Sequence, residues 1–298
     1  MNSIVIKGFD PENLEELAEL QVKIFNEATA NLPNFIPAKI EDVILRFKRE
    51  TFDQTRMFYA YQNENMVGYG GLTGKNQEQN LRGVGFPWLL NDVDESVRAN
   101  LYDAMENKCK NEGTKVLQAF SSNLFEKRLN FFKDREYKVT NEFLNLEKKL
   151  KLNDFTIPDG YKLRSIQKSD LTQLEEISKQ DPKMKSPFSS KAFEQRMASP
   201  NFDADNYVVA EHGSVVGFFG LFIPTDKENE NSYFAGVAVH PDHQNIEDVL
   251  IKEAENRAFK QGKRKVLTTF YPDSPRLPQA KKSGYKLTNS IFQLEKQL

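Results

Sequence analysis

Residues Tyr233–Gly262 read YFAGVAVHPDHQNIEDVLIKEAENRAFKQG. Tyr233 to Val239 is aromatic, small and β-branched, which predicts a buried strand. His240, Pro241 and Asp242 break it. Beyond Val249, the residues Leu250, Ala254 and Ala258 fall at helical spacing, and Gly262 is placed to end the helix in a left-handed conformation. A strand that feeds a helix through a short loop presents unpaired backbone N–H groups at the positive end of the helix dipole. That suits an anion such as phosphate. It equally describes an ordinary strand–helix joint in an α/β domain, and geometry alone does not choose.

The rest of the chain repeats this text. A shift of 149 takes Gly68, Gly71 and Leu72 to Gly217, Gly220 and Leu221, Leu101 to Leu250, and Gly113 to Gly262. Near the ends of the copies, Tyr137-Lys138-Val139-Thr140-Asn141 parallels Tyr285-Lys286-Leu287-Thr288-Asn289, and Leu146-Glu147-Lys148 recurs as Leu294-Glu295-Lys296. A period this long means two copies of a whole domain rather than a solenoid. The first copy is expected over 1–152 and the second over 161–298, joined by a polar linker at 153–160. Within the first copy the pattern predicts a strand at Ile4–Phe9 and a helix opened by Asp10 and Pro11. A second helix follows at Ile40–Phe52, then a hairpin of Met57–Tyr61 and Met66–Leu72 through Gln62–Asn65. The copy closes with a strand at Val84–Leu90, a helix at Val97–Lys110, a strand at Lys115–Phe120, a helix at Leu124–Lys133 and a strand at Tyr137–Leu146. The fold class expected is α/β (α+β), each copy a mixed, mostly antiparallel sheet flanked by helices.

Composition narrows the function. Charged residues make up 28% and hydrophobic ones 39%, a globular balance, and a formal net charge of −2 gives no electrostatic reason to expect nucleic acid or an anionic membrane. The one cysteine, Cys109, permits neither an internal disulfide nor a zinc cluster. The longest apolar run, Val215–Pro224, is roughly half of what a membrane-spanning helix needs. The N-terminus lacks a basic region followed by an apolar core. A cytoplasmic protein is the expectation.

Val239-His240-Pro241-Asp242-His243-Gln244 resembles the V-x-P-x-x-(R/Q) opening of the acyl-CoA loop in the GNAT acetyltransferase superfamily. The element order of each copy is similar to that family's fold. The resemblance implies an N-acyltransferase that moves an acyl group from acetyl-CoA, or another acyl-CoA, to a small-molecule or peptide amine, without a metal. In the family the loop continues x-x-G-x-G/A and its amides hold the pyrophosphate of coenzyme A. Here it continues Asn245-Ile246-Glu247-Asp248-Val249, without either glycine. The resemblance places candidate cofactor contacts at Ala238, Val239, Gln244, Asn245, Ile246, Glu247, Asp248 and Val249. The first copy's counterpart, Asn91–Arg98, carries Asp92, Asp94 and Glu95, whose charge opposes a polyanion. The second copy is therefore the expected cofactor site and the first a degenerate partner.

The family parts two parallel strands to seat the thioester. Pro87, and Gly236 in the second copy, stand where each strand would be bulged or unpaired. Proton transfer is less well provided for. Neither Val84–Leu90 nor Tyr233–Val239 contains the carboxylate many members use as base, although Glu228 and Glu230 lie just before the second strand. The position of the family's acidic tyrosine holds Phe132 in one copy and Ala280 in the other. Tyr233 and Tyr271 are the available substitutes. Lys281-Lys282 could meet a 3′-phosphate. His240 and His243 have the spacing of part of a metal site, without a third ligand in the sequence nearby. The alternative function is a non-catalytic tandem protein whose copies have both lost the cofactor. The discriminating feature is the gap beside Gly236, open in an enzyme and filled by Phe234, Phe270 or Tyr271 in a scaffold.

Overall fold

The structure is a computed structural model that describes residues 4–31, 37–184, 187–199, 202–224 and 229–298. The chain divides into two compact units, Met1–Glu142 with Ser290–Leu298, and Phe143–Asn289.

In unit 1, β1 (Ile4–Gly8) leads to a turn in which the Asp10 carboxylate accepts from the Glu12 amide at 3.0 Å, and α1 (Leu14–Thr29) follows. The second helix, α2 (Ile40–Phe47), stops short of the predicted Phe52. The chain turns there instead, because the Phe52 ring packs against Phe9 and Phe47, each at 5.1 Å. β2 (Met57–Gln62) and β3 (Asn65–Asn76) form the expected hairpin, with Asn63 and Glu64 at φ of 50° and 67° as a tight turn requires. The predicted strand Val84–Leu90 is broken in two, β4 (Leu81–Val84) and β5 (Trp88–Leu89), with Pro87 in the break. Then come α3 (Glu95–Asn111), β6 (Val116–Ser122), α4 (Glu126–Lys133) and β7 (Lys138–Lys149). Gly113 ends α3 at φ 65°, as its position predicted.

In unit 2 the order recurs: β8 (Lys162–Ser165), α5 (Leu171–Gln180), α6 (Ser190–Met197), β9 (Tyr207–His212), β10 (Ser214–Phe222), β11 (Asn231–Val239), α7 (Glu247–Lys260), β12 (Lys265–Phe270), α8 (Leu277–Lys282) and β13 (Lys286–Gln297). Strand alternation sorts the core into two layers. Val208, Ala210, Val237 and Val239 pack with Leu250, Ala254 and Ala258 of α7, while Val209 and Ala238 pack with Leu171, Leu174 and Ile177 of α5.

The units do not coincide with the sequence copies, because each takes its closing strand from the other copy. In unit 1, β6 pairs antiparallel with the end of β13, Ala119 opposite Leu294. In unit 2, β12 pairs antiparallel with the end of β7, Thr268 opposite Leu146. Leu146 and Leu294, equivalent residues of the repeat, are fully buried in the exchanged positions. The stretch expected as a linker, 153–160, has no helix or strand and belongs to unit 2. It is tied to α7: the Asn153 amide donates to Asn256 Oδ1 at 2.7 Å, and Asn256 Nδ2 donates to the Asn153 carbonyl at 2.9 Å.

A buried ion pair marks each exchange. Lys148 Nζ, on the borrowed end of β7, donates to both oxygens of Glu255 at 2.7 and 2.8 Å, and Glu255 is wholly buried. Tyr285 donates its hydroxyl to the same carboxylate at 3.0 Å. Its repeat partner in unit 1 is Lys296 on Glu106, at 2.9 Å. A buried pair contributes modestly to stability against an apolar replacement, but leaving one member alone costs about 3–5 kcal/mol. For Glu255, whose cation is Lys148, this penalises a pairing that takes the lysine away, whereas Glu106 also holds Lys110 at 2.6 Å.

Candidate functional site

In unit 2 the parallel strands β11 and β12 are hydrogen-bonded only from Asn231↔Lys265 to Tyr233↔Leu267. Beyond that they part. On its other side β11 slips register against β10, Gly220 facing Gly236 and Leu221 facing Phe234, so Ala235 is the extra residue of a bulge. Gly236 has φ of 156°, a value side chains rarely adopt. The parted strands open into a small recess whose walls include Phe219, Phe234, Val237, Thr268 and Phe270, with Gln279, Ala280 and Ser283 from α8. Phe234 and Phe270 both line it, their rings tilted with centres 6.4 Å apart. The Thr268 hydroxyl in this wall is buried without a hydrogen-bond partner among the described residues.

Unit 1 treats the same place differently. β4 pairs in parallel with β6 only from Leu81↔Val116 to Gly83↔Gln118, so the strands part here too. Phe86 then fills the space, with ring centres 5.2 Å from Trp88, 5.7 Å from Phe125 and 5.3 Å from Phe131. The Arg98 guanidinium lies 4.5 Å over the Phe86 ring and donates to the Pro87 carbonyl.

At the start of α7 the open unit carries a buried ionic cluster. Arg276 Nη2 donates to Asp181 Oδ2 at 2.6 Å and Arg276 Nε to Glu247 Oε1 at 3.0 Å. Lys183 Nζ donates to the other Glu247 oxygen at 2.7 Å, and Asp181 also accepts the Val239 amide at 3.0 Å. Asp181, Glu247 and Arg276 are all at most 8% exposed.

The acetyltransferase (GNAT) family model matches residues 169–285. That part of the chain is a GNAT-family domain. The whole chain has the fold of solved GNAT structures. Over 99% of its length it is similar to a GCN5-related N-acetyltransferase from Sphaerobacter thermophilus, at 13% identity and TM-score 0.72, covering 95% of that chain. It is similar over 99% of its length to a tandem GNAT protein from the clavulanic acid biosynthesis pathway, at 11% identity and TM-score 0.71, covering 98% of that chain. It also resembles, at 14% identity and TM-score 0.70, a glucosamine N-acetyltransferase region of a fungal multi-domain GH3 β-N-acetylglucosaminidase, covering 99% of this chain and 38% of that one. No curated protein matches by sequence.

Against this GNAT frame, the expected cofactor contacts divide. Ala238 and Val239 are wholly buried strand residues, the latter with its amide taken by Asp181. The loop expected from Asn245 to Val249 is not an open loop. Pro241–Ile246 is a 3-10 turn, and Glu247, Asp248 and Val249 form the first turn of α7. Within the turn the His243 amide donates to the His240 carbonyl at 2.9 Å, and the Glu247 amide to the Gln244 carbonyl. Gln244 folds inward, its Nε2 donating to the Val239 and His240 carbonyls at 2.9 and 3.3 Å. Asn245 Oδ1 accepts from the Tyr161 hydroxyl at 3.2 Å, and Ile246 and Val249 are core. Asp248 pairs with Lys252 at 2.6 Å on the surface. Sequence reasoning identified Glu247 without its partners. Asp181, Lys183 and Arg276 were missed, although Arg276-Leu277 repeats Arg128-Leu129 at the shift that relates Tyr285 to Tyr137.

The proton-transfer candidates lie outside the recess walls. Tyr233 sits in the paired part of β11, its ring 6.2 Å from Phe222. Tyr271 lies just past β12, its ring 5.1 Å from Phe143. Glu230 is exposed, and Glu228 lies outside the described residues. Lys281 and Lys282 are exposed in the last turn of α8. Tyr285 does reach the recess, but burial first and the adjoining Glu255 carboxylate second push its phenol well above the usual range, so it stays protonated.

The chain's three histidines converge beside the 3-10 turn. The His243 ring lies 5.3 Å from His212 and 5.7 Å from His240, and His243 Nδ1 is hydrogen-bonded to the Tyr161 hydroxyl oxygen at 2.7 Å. No group of three potential ligands among the described residues is arranged to hold a metal. Burial, then the neighbouring His212 and His240, pull the His243 pKa below its ordinary 6.5. A depressed folded-state value means that protonation favours unfolding. The contribution of His243 is therefore complete above about pH 6.5 and falls away as the pH drops through the lower folded value. Unit 2 is expected to lose melting temperature on acidification from pH 7 to 5.5, and His243→Asn to flatten that slope. An unchanged slope would remove this histidine from the account.

Proposed function

We propose that the protein is an N-acyltransferase whose donor, acetyl-CoA or another acyl-CoA, inserts its thin acyl-pantetheine arm between β11 and β12 of unit 2, and whose acceptor is a small-molecule or peptide amine. The observation that carries this reading is the recess. It lies inside the segment matched by the GNAT family model, and the bulge at Ala235–Gly236 opens it. The unpartnered Thr268 hydroxyl suits a chain of amides, since a buried polar group without a partner costs about 1–3 kcal/mol and a ligand amide would recover it. Positioning is then the main contribution of the protein, with water carrying the proton.

The fit is divided. The recess suits the arm, whereas the start of α7 does not accept a diphosphate as it stands, because Glu247 already neutralises Arg276 there. Donor binding on this reading exchanges the partners of Arg276, with the Glu247 carboxylate giving way to phosphate oxygens. The closed 3-10 turn favours a second reading, a non-catalytic tandem GNAT protein that has kept the fold without the cofactor.

Thermal unfolding with acetyl-CoA separates the two. Ligand at a hundred times its dissociation constant stabilises the fold by about 2.7 kcal/mol. An upward shift for the native chain, lost in Ala280→Trp, which fills the recess, is the expected result. Release of free coenzyme A thiol with a panel of amines would then identify the acceptor. No shift at millimolar acetyl-CoA would favour the non-catalytic reading.

A further inference from the structure

The two units treat equivalent arginines in opposite ways. Arg276 of unit 2 is held by two carboxylates, Asp181 and Glu247. Its repeat counterpart in unit 1 is Arg128, in α4. Among the described residues Arg128 makes no ion pair or hydrogen bond, and its Nε is buried without any partner. The counterpart of Glu247 is Arg98, so unit 1 places a second guanidinium where unit 2 places a carboxylate. Arg98 is neutralised by Glu95, to which its Nε donates at 2.7 Å, and the same carboxylate binds Lys127 at 2.7 Å. Glu95 is therefore shared by two cations, and no carboxylate among the described residues pairs with Arg128.

A guanidinium cannot shed its proton at physiological pH, so it cannot escape this cost as a buried lysine can. Burial alone pulls the Arg128 pKa down to about 10, with no carboxylate to raise it. At neutral pH the group remains a cation removed from water, in an environment that rewards a counter-anion. The residue as a whole keeps part of its surface exposed.

We propose that unit 1 binds a small oxyanion, a phosphate or carboxylate group, at Arg128. The site lies beyond the acyl-donor reading, since the gap of unit 1 is filled by Phe86 and its neighbours. The planar fork of arginine matches two oxygens of such a group, and a charge-assisted pair is roughly twice as strong as a neutral hydrogen bond. Unit 2 keeps an open gap with a self-neutralised arginine. Unit 1 has a closed gap and an unneutralised one.

The test is titration of the full chain with inorganic phosphate, and separately with acetate, each against chloride at matched ionic strength. The readouts are melting temperature and the arginine Nε–H resonances. The resonance that disappears in Arg128→Lys identifies Arg128 without requiring a charge to be removed. Phosphate or acetate is expected to move that resonance saturably and to raise the melting temperature, and the rise should vanish in Arg128→Met while persisting in the control Lys133→Met. Phosphate without acetate would assign a phosphate site, and both together a general oxyanion site. A resonance that stays still in native protein under both salts, or an equal stabilisation of Arg128→Met, overturns the proposal. If Arg128→Met does not fold, the native resonance alone decides. A failure here leaves the acyl-donor reading untouched, because acetyl-CoA and the unit 2 variants are not involved.

Discussion

Glu247→Gln is expected to bind acetyl-CoA at least tenfold more tightly than the native chain, while its ligand-free melting temperature falls. The two effects have opposite signs and one cause. The Glu247 carboxylate holds Arg276 and Lys183 at the start of α7, so neutralising it weakens a buried cluster. The same carboxylate opposes any phosphate brought to that helix start. Like charges 4 Å apart repel by about 4 kcal/mol at an effective dielectric of 20, and part of that opposition survives screening. A tenfold gain corresponds to about 1.4 kcal/mol, well within it. Arg276→Met should act in the other direction, abolishing donor binding and leaving Asp181 without its guanidinium, at about 3–5 kcal/mol of stability. Calorimetric titration of the folded Glu247→Gln chain checks the first effect. An affinity equal to or below the native value would mean that Glu247 is not what guards the site.

Ending the chain at Asn289 should unfold unit 1 and spare unit 2. Residues Ser290–Leu298 are remote in sequence from most of unit 1, yet they supply the partner of β6 along Val116–Ser122. Their loss takes Lys296 from Glu106, which keeps Lys110 at 2.6 Å, uncovers Leu117 and Ala119, and removes the fully buried Leu294. Loss of a buried leucine side chain alone costs about 2–5 kcal/mol. The molecule carries its own reporter. The single tryptophan, Trp88, is in unit 1, stacked on Phe125 at 5.6 Å, so its emission should shift to the red on truncation. Leu146→Ala makes the converse change, weakening unit 2 while Trp88 emission holds. Native emission in the truncated chain would mean that β7 can close unit 1 by itself.

Much of this architecture was legible in the residues. The strand–turn–helix of Tyr233–Gly262, the repeat, the left-handed caps at Gly113 and Gly262 and the irregularities at Pro87 and Gly236 are local, and local chemistry specifies them. The exchange of closing strands was not legible, for a physical reason. Leu146-Glu147-Lys148 and Leu294-Glu295-Lys296 carry the same side chains in the same order, so either strand satisfies either sheet, and similarity conceals which sheet each joins. The candidate site shows the same division. The missing glycines were visible between Gln244 and Val249, but their replacement by a 3-10 turn, and the capture of Glu247 by an arginine beyond β12, depend on contacts distant in sequence.

The exchanged strands also set a timetable. A ribosome adding about 5–20 residues each second needs roughly 15–60 s to make 298 residues, so the earliest-made unit waits for the last-made strand. During that interval β7, whose end is a near-copy of the strand β6 finally keeps, is the competing partner on offer. If β7 takes that place first, it must be displaced by the later strand, and the speed of translation becomes a variable in how much of the chain matures correctly.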